Sequence, residues 1–503
     1  MTRIMRTKYA FLNMVFSTIS MLTSSILSLL MTRVVLVYLG SEYNGLNGTI
    51  SQFLSVLMLL ESGFTLAALV KLYAPFGEQN YTEINRILSK ARKELGRIGL
   101  LMTIFGVIGA AVYSVFIKTS VDYFVVVSMF VCSIASVAFN FSYVYKFRLV
   151  LQVSQREYVY YLVTIIQYIF MYCGMILIIR FSKNIILARC YYLATNIIAG
   201  FAVSKIVRRA FPSVRFDMES TAVKIEGTRD LFVSKLVGLL YNSLTLFYMS
   251  VFIGTLQASV YVIYHSVISV INSLLNIATS APQNALGQIM NTERHRLRKT
   301  MREYEYVVVF MAVLLLSTTI ALLIPFIRFY TQDITDVEYV QPVLAVLLIM
   351  ISATQIVHIP SGRCIELSGN FKVVRNIQTI TFILLLLLSL MGVFACGLTG
   401  LLFAQLLTNI ALSAMEICYA HTKIIGGASK DFLQILIPHF ILACVLSCLE
   451  FKLFYYVELE LITFILAGFA VLLVNTVILA AFGYLFFKEY LAGMLDRIRT
   501  ILT

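Results

Sequence analysis

"LSLLMTRVVLVYLGSEYNGLNG", residues 27–48, sets the terms for the whole chain. A permanent positive charge, Arg33, sits inside an apolar run that begins near Tyr9. The run ends in a turn rich in Gly and Asn. Thirty residues of this kind form a helix longer than the roughly 30 Å hydrocarbon core of a bilayer, at about 1.5 Å per residue. The reading of Arg33 then depends on which end of the run faces which side, and on how often the pattern recurs.

It recurs throughout. The 503 residues are 60% hydrophobic and 13% charged, with mean hydropathy +0.89. Soluble domains sit near 45–50% apolar and about 25% charged. Apolar segments fall at 9–38, 46–70, 96–117, 121–145, 158–179, 185–206, 231–253, 258–286, 306–329, 341–360, 373–394, 397–420, 432–449 and 461–487. These fourteen predict an all-α polytopic membrane protein with no sizeable soluble domain and with both termini on one side. The basic N-terminus MTRIMRTKYA runs straight into the first span without an A-x-A-like site, so no cleaved signal peptide is expected.

Lys and Arg orient the bundle. With the N-terminus inside, all of the 39 basic residues except Arg33, Lys118, Arg180, Lys183, Arg189, Arg328 and Lys452 fall on the inner side. Both termini are therefore expected in the cytoplasm. The net charge of +14 becomes a topology signal with some attraction to anionic lipid, and nucleic acid is not an expected partner. The eight cysteines lie in or beside spans without CxxC or Cys/His spacing, and read as small packing residues. Trp is absent. Tyr9, Tyr38, Tyr73, Tyr113, Tyr123, Tyr158 and Tyr456 near span ends supply the interfacial aromatic belt in its place.

The chain also echoes itself. Basic linkers of helical spacing follow the second span (71–97) and the eighth (281–306). The turns "YLGSEYNGLNG" and "FIGTLQASVYV" superpose Gly40 on Gly254 and Gly45 on Ser259, an offset of 214 residues. Spans 1–6 (residues 1–206) and 7–12 (residues 231–420) then form parallel repeats joined by a polar cytoplasmic linker, 207–230. Residues 421–503 add spans 13 and 14 and a cytoplasmic tail. Parallel repeats are a common transporter plan, with the substrate site between the halves.

No bond-making chemistry is expected. GxxxxGK[ST], HExxH, GxSxG and usefully spaced carboxylate pairs are missing from the sequence, and the outer loops are short, so neither an enzyme nor a cofactor is expected. The informative residues are ionisable groups within spans, where a charge costs about 2.5–3.5 kcal/mol on insertion scales. Glu61, midway through "LMLLESGF", reads as a cavity carboxylate for proton or cation coupling, or as a packing residue. Arg33, about five residues and so about 7–8 Å from the outer end of its span, reads as a snorkelling cation or as a phosphate ligand. Arg189, four residues into span 6, repeats that choice. His265 is a titratable or a packing group. His358, Arg363 and Glu366 cluster at the inner end of span 10. Arg363 and Glu366 are spaced to pair on one helix face, and Pro360, Gly362 and Gly369 mark a helix break there: an inner gate, or a plain helix end. Glu416, near the inner end of span 12, reads as snorkelling. No metal site is expected.

The run Arg33, Leu39-Gly40, Glu42-Tyr43, Gly45-Leu46-Asn47, Glu61, Gly63, Leu72-Tyr73 and Pro75 resembles the N-terminal signature of bacterial polysaccharide flippases of the multidrug/oligosaccharidyl-lipid/polysaccharide exporter superfamily. "GNFKVVRN" (369–376) and "CGLTGLLFAQLL" (396–407) resemble second-half elements more weakly. Ser62 departs from the pattern, which has an apolar residue there. The resemblance implies two six-helix lobes around a V-shaped central cavity, plus two C-terminal helices. It implies a cargo of undecaprenyl-pyrophosphate-linked oligosaccharide, flipped from inner to outer leaflet of the bacterial inner membrane for O-antigen (lipopolysaccharide) or capsule assembly. Arg33, Arg189 and His265 become substrate ligands and Glu61 a coupling residue. Partners are the lipid-linked oligosaccharide, membrane lipids, and a polysaccharide polymerase and chain-length regulator. The rivals are a cation-coupled multidrug antiporter of the same superfamily, which span 9–38 fits poorly for want of a carboxylate, a peptidoglycan-precursor flippase, and, less well, a membrane polysaccharide polymerase.

Overall fold

A computed structural model describes residues 3–61, 64–218, 229–292 and 297–494. Residues 219–228 of the expected linker, the tail 495–503, and Ser62 and Gly63 beside Glu61 lie outside the described residues. Among those described, the regular elements are all helical. They are α1 (Arg3–Leu39), α2 (Ser41–Leu57), α3 (Phe64–Gly77), α4 (Tyr81–Phe116), α5 (Tyr123–Phe139), α6 (Tyr145–Val153), α7 (Tyr158–Ser182), α8 (Ile185–Ala210), α9 (Arg229–Tyr248), α10 (Thr255–Thr292), α11 (Leu297–Tyr330), α12 (Pro342–Val357), α13 (Ile359–Leu367), α14 (Phe371–Tyr419), α15 (Lys430–Phe454) and α16 (Leu461–Phe486). Wider π-helical turns follow α5, α9 and α14 at Asn140–Val144, Met249–Ile253 and Ala420–Ile425.

Among the described residues twelve helices are long and apolar enough to cross a membrane. Two local effects separate this number from the expected fourteen. Spans 373–394 and 397–420 fall in one stretch, α14, but it comprises two helices that meet at a kink with non-helical backbone at Cys396 (φ −137°, ψ 18°) and Gly397 (φ 58°, ψ −130°), the boundary expected between the two spans. Span 46–70 is broken: α2 ends at Leu57, a 3-10 turn covers Met58–Glu61, and α3 starts at Phe64. Neither piece alone is long enough to span. The first half of α2 is polar and small (SEYNGLNGTISQ), so its backbone is held by neighbouring helices as well as by apolar length.

The chain packs as two compact units, Met1–Ser259 and Val260–Thr503. In the first, α1 lies along α7, α7 along α8, and α5 bridges α4 and α8. The helix expected to open the second repeat, α9, packs here against α2. One core gathers Leu88, Phe147 and Phe141; the other gathers Leu46, Phe130 and Met129. In the second unit α11 is the enclosed centre, wrapped by α12, α15 and α16. Lipid tails are as apolar as Leu, so helix association here comes from close packing and interhelical hydrogen bonds. The second unit shows both: Asn409 donates to the Ile351 carbonyl (3.4 Å) and Ser413 to that of Thr354 (2.9 Å), tying α14 to α12.

One end of the first unit is fastened by the turns that superpose in sequence. Gly40 (φ 94°) and Gly254 (φ 132°) each precede a helix in the left-handed region that residues with a Cβ avoid. The loop between α4 and α5 is clamped from both. The Glu42 carboxylate accepts from the Thr119 hydroxyl and the Ser120 amide, both at 2.7 Å. Lys118 Nζ donates to the Phe252 carbonyl at 2.8 Å. The Thr255 amide donates to the Lys118 carbonyl at 3.1 Å. Beside them Asn44 Nδ2 donates to Ser259 Oγ at 2.9 Å, and Gly45 lies so close to Thr255 that a Cβ would overlap its carbonyl.

That contact yields a stability test. Gly45→Ala must push backbone from backbone and is expected to cost about 1–3 kcal/mol. Gly96→Ala, where a Cβ meets nothing within 4 Å, is expected to be neutral or stabilising. Thermal unfolding of the detergent-solubilised protein, followed by size exclusion, measures both. Equal melting temperatures for the two variants would contradict the packing described.

Candidate functional site

Each helical unit encloses a polar centre among its described residues. In the first unit α8 carries Arg189 inward. Its guanidinium donates to Asn47 Oδ1 on α2 and to Ser133 Oγ on α5 (3.3 Å). Both partners are neutral, and no described carboxylate pairs with it. The phenols of Tyr172 (α7) and Tyr192 (α8) flank it, and Tyr172 faces Ser24 and Ser28 of α1. Nε is buried without a hydrogen-bond partner. Cys132 and Cys190, the sequence neighbours of Ser133 and Arg189, bring their sulfurs to 3.9 Å. The planar fork of a guanidinium suits phosphate.

The second unit holds a cavity of about 420 Å³, within the size range of small-molecule sites. Its walls come from α10 (Asn276), α11 (Tyr304), the α12–α13 junction (His358, Arg363, Glu366) and α14 (Gln378, Glu416). The helix breaks at His358, which closes α12 and opens α13, and Pro360 follows within the first turn of α13, where its missing N–H costs nothing. The break frees the His358 ring to reach Glu416, Nδ1 to Oε2 2.7 Å. Gly362 lets α13 lie on that carboxylate: a Cβ there would meet Glu416 Oε2 at 2.6 Å. Arg363 donates to Glu366 at 2.8 Å, one helical turn apart. Each carboxylate of the cavity wall thus has a hydrogen-bond partner in the same wall.

The architecture is matched by known structures. No protein-family model and no curated protein matches the sequence. The lipid II flippase MurJ, in an inward closed conformation, superposes with a TM-score of 0.67 over 92% of this chain and 98% of its own, at 16% identity. An inward-facing multidrug resistance MATE family transporter of the MOP superfamily superposes at 0.57, over 86% and 99%, with 12% identity. The MATE multidrug transporter DinF-BH, in complex with R6G, does so at 0.55, over 83% and 96%, with 15% identity. The chain has the MOP superfamily fold.

Within the MOP fold the expected site residues fall as follows. Arg33 is half-buried on α1. Glu61 stands at the break between α2 and α3, where its carboxylate accepts the Thr65 amide at 2.9 Å and so holds the first turn of α3. His265, on α10 in the other unit, is exposed and stacked on Tyr261 at 5.3 Å between centroids; it does not line the 420 Å³ cavity. His358, Arg363 and Glu366 come together there. The glycine- and proline-marked break among them is real: α13 ends in a turn with Gly369 at φ 79°.

Some residues escaped the sequence reading. Glu416 does not snorkel: it is 3% exposed and bound to His358, because α13 covers the end of α14 where lipid or water was expected. A carboxylate in "ALSAMEICYA" could have been matched to the histidine at the break, had the two segments been known to pack together. Asn47 stood in the quoted signature without a role. Ser133 gives no signal among the many span serines. A second pair, His421 Nε2 to Glu305 Oε1 at 2.7 Å, is buried in the same unit.

Removing the partner of a buried carboxylate strands it. His358→Ala is therefore expected to cost about 2 kcal/mol, and Glu416→Leu added to it to return part of that loss, a coupling of about 1 kcal/mol or more. Melting temperatures of the two single variants and the double variant measure it. Strict additivity would mean that the pair contributes nothing.

Proposed function

We propose that the protein is a flippase for lipid-linked oligosaccharides, moving undecaprenyl-pyrophosphate-linked repeat units from the inner to the outer leaflet of a bacterial inner membrane, with both termini cytoplasmic. The observation that carries the reading is Arg189, a cation inside the first unit whose described partners, Asn47 and Ser133, are neutral. Such a group suits the pyrophosphate. Sugars and phosphate cross hydrocarbon only if protein groups replace their water, since each unpaired buried polar group costs several kcal/mol. Arg33 adds a second cation, and His265 and Glu61 serve as cargo and coupling residues in this scheme. His358, Arg363 and Glu366 form the inner gate, where the α12–α13 break lets a short helix move. Alternating access supplies the cycle. Outward movement of an anion down an inside-negative potential gains about 2.3 kcal/mol per charge per 100 mV. Released units pass to a polymerase and chain-length regulator for O-antigen or capsule.

The fold shared with MurJ supports lipid-linked cargo and also keeps a peptidoglycan precursor as the nearest competing cargo. The MATE likenesses favour a second reading, cation-coupled drug export. A dye- and drug-efflux assay in everted vesicles separates it from the first.

Arg189→Ala is expected to reduce surface polysaccharide at least about tenfold, the effect of about 1.4 kcal/mol, and to leave membrane abundance normal. Arg33→Ala and Glu61→Gln should lower it as well. Arg189→Lys should be partly active, because an ammonium keeps the charge and loses the fork. Immunoblotting of polysaccharide, with mass spectrometry of inner-leaflet lipid-linked glycans in the deletion strain, reads the result. Full export by Arg189→Ala would overturn the assignment, and accumulation of a peptidoglycan precursor would change the cargo.

A further inference from the structure

The cavity of the second unit differs in chemistry from the Arg189 site. Its two carboxylates are each hydrogen-bonded within its own wall, Glu416 to His358 and Glu366 to Arg363, at 2.7 and 2.8 Å. The remaining polar wall is amide and phenol, from Asn276, Gln378 and Tyr304. With two carboxylates in the wall and Arg363 held by one of them, the cavity is a poor phosphate site. The wall still presents lone pairs and N–H groups fixed in position, and amides present both a donor and an acceptor. A hydroxyl group is donor and acceptor at once, and a ring bearing several of them matches such a wall. The volume, about 420 Å³, admits one or two sugar rings.

We propose that this cavity is a glycan subsite that takes a neutral sugar ring of the cargo, hexose or N-acetylhexosamine, and excludes its phosphate. The inference rests on the flippase reading and deepens it. The glycan site then differs in chemistry from the Arg189 site, which takes the anion. The wall also couples occupancy to the helix break. A sugar hydroxyl bonded to Glu416 competes with His358 for the same carboxylate, and His358 is the hinge between α12 and α13. A ligand that binds one state of that hinge better than the other shifts its population.

The experiment uses the full chain in lipid nanodiscs and saturation-transfer NMR, with glucose, galactose, N-acetylglucosamine and N-acetylgalactosamine as probes and inorganic pyrophosphate as competitor. At least one sugar is expected to receive saturation from the protein and to keep it in equimolar pyrophosphate. Gln378→Leu and Asn276→Leu are each expected to weaken that sugar about tenfold, the effect of one lost hydrogen bond to a polar wall. Hydrogen exchange of wild-type protein supplies a readout independent of any variant: the same sugar should protect amides of α13. No transfer to any of the four sugars, displacement of the sugar by pyrophosphate, or exchange protection confined to the first unit would overturn the proposal. The failures are separable. Sugar binding without glycolipid translocation in proteoliposomes would sink the flippase reading alone. Translocation without sugar binding would sink the glycan subsite alone.

Discussion

Everything in this structure answers to one constraint: in hydrocarbon a polar or charged group must be satisfied by protein, because no solvent will do it. The chain meets it in distinct ways. Backbone groups freed at the break near Glu61 are covered by that carboxylate. Loop charges are turned onto carbonyls, as Lys118 on Phe252 and Arg328 on Tyr455. Internal carboxylates are matched by histidines, Glu416 by His358 and Glu305 by His421. At the edge, Asp431 is matched by Arg298 and Arg302. Against this background Arg189 stands out among the described residues as a buried guanidinium whose described hydrogen-bond partners, Asn47 and Ser133, are neutral side chains. An exception to a costly rule is where function is to be sought.

The same constraint explains what was legible in the sequence. Apolar length is a one-dimensional signal, so most of the helices could be read directly, and the break at 358–369 followed from Pro360 and its glycines. The seven basic residues that violate the inside-positive pattern were visible, but their reasons were not. Lys118, Arg189 and Arg328 make hydrogen bonds that depend on segments far away in the chain. Glu416 was misjudged for a related reason: depth along a helix says nothing about what another helix lays across it. The break beside Glu61 was not expected, because span 46–70 was read as one helix. The polar half of α2 carried the warning, since SEYNGLNGTISQ is too polar to be the start of an ordinary lipid-facing helix.

In the reading proposed above, the two interior sites divide the work that a cargo with a charged and an uncharged part requires. A single pocket for both parts would need to desolvate a phosphate and a sugar with the same groups. Separate chemistries avoid that conflict, and each can be weak, which favours release. A hinge such as the one at His358 can then respond to the uncharged part without the charge being lost to water.

The thiol contact beside Arg189 carries a mechanical implication. Cys132 and Cys190 belong to different helices, and their sulfurs sit 3.9 Å apart. Each is the next residue in the chain from one end of the Arg189–Ser133 hydrogen bond. Sliding of α8 against α5 therefore cannot disturb the guanidinium without parting the sulfurs. The pair is a native gauge of that joint, readable by the span of the shortest bifunctional reagent that still bridges it.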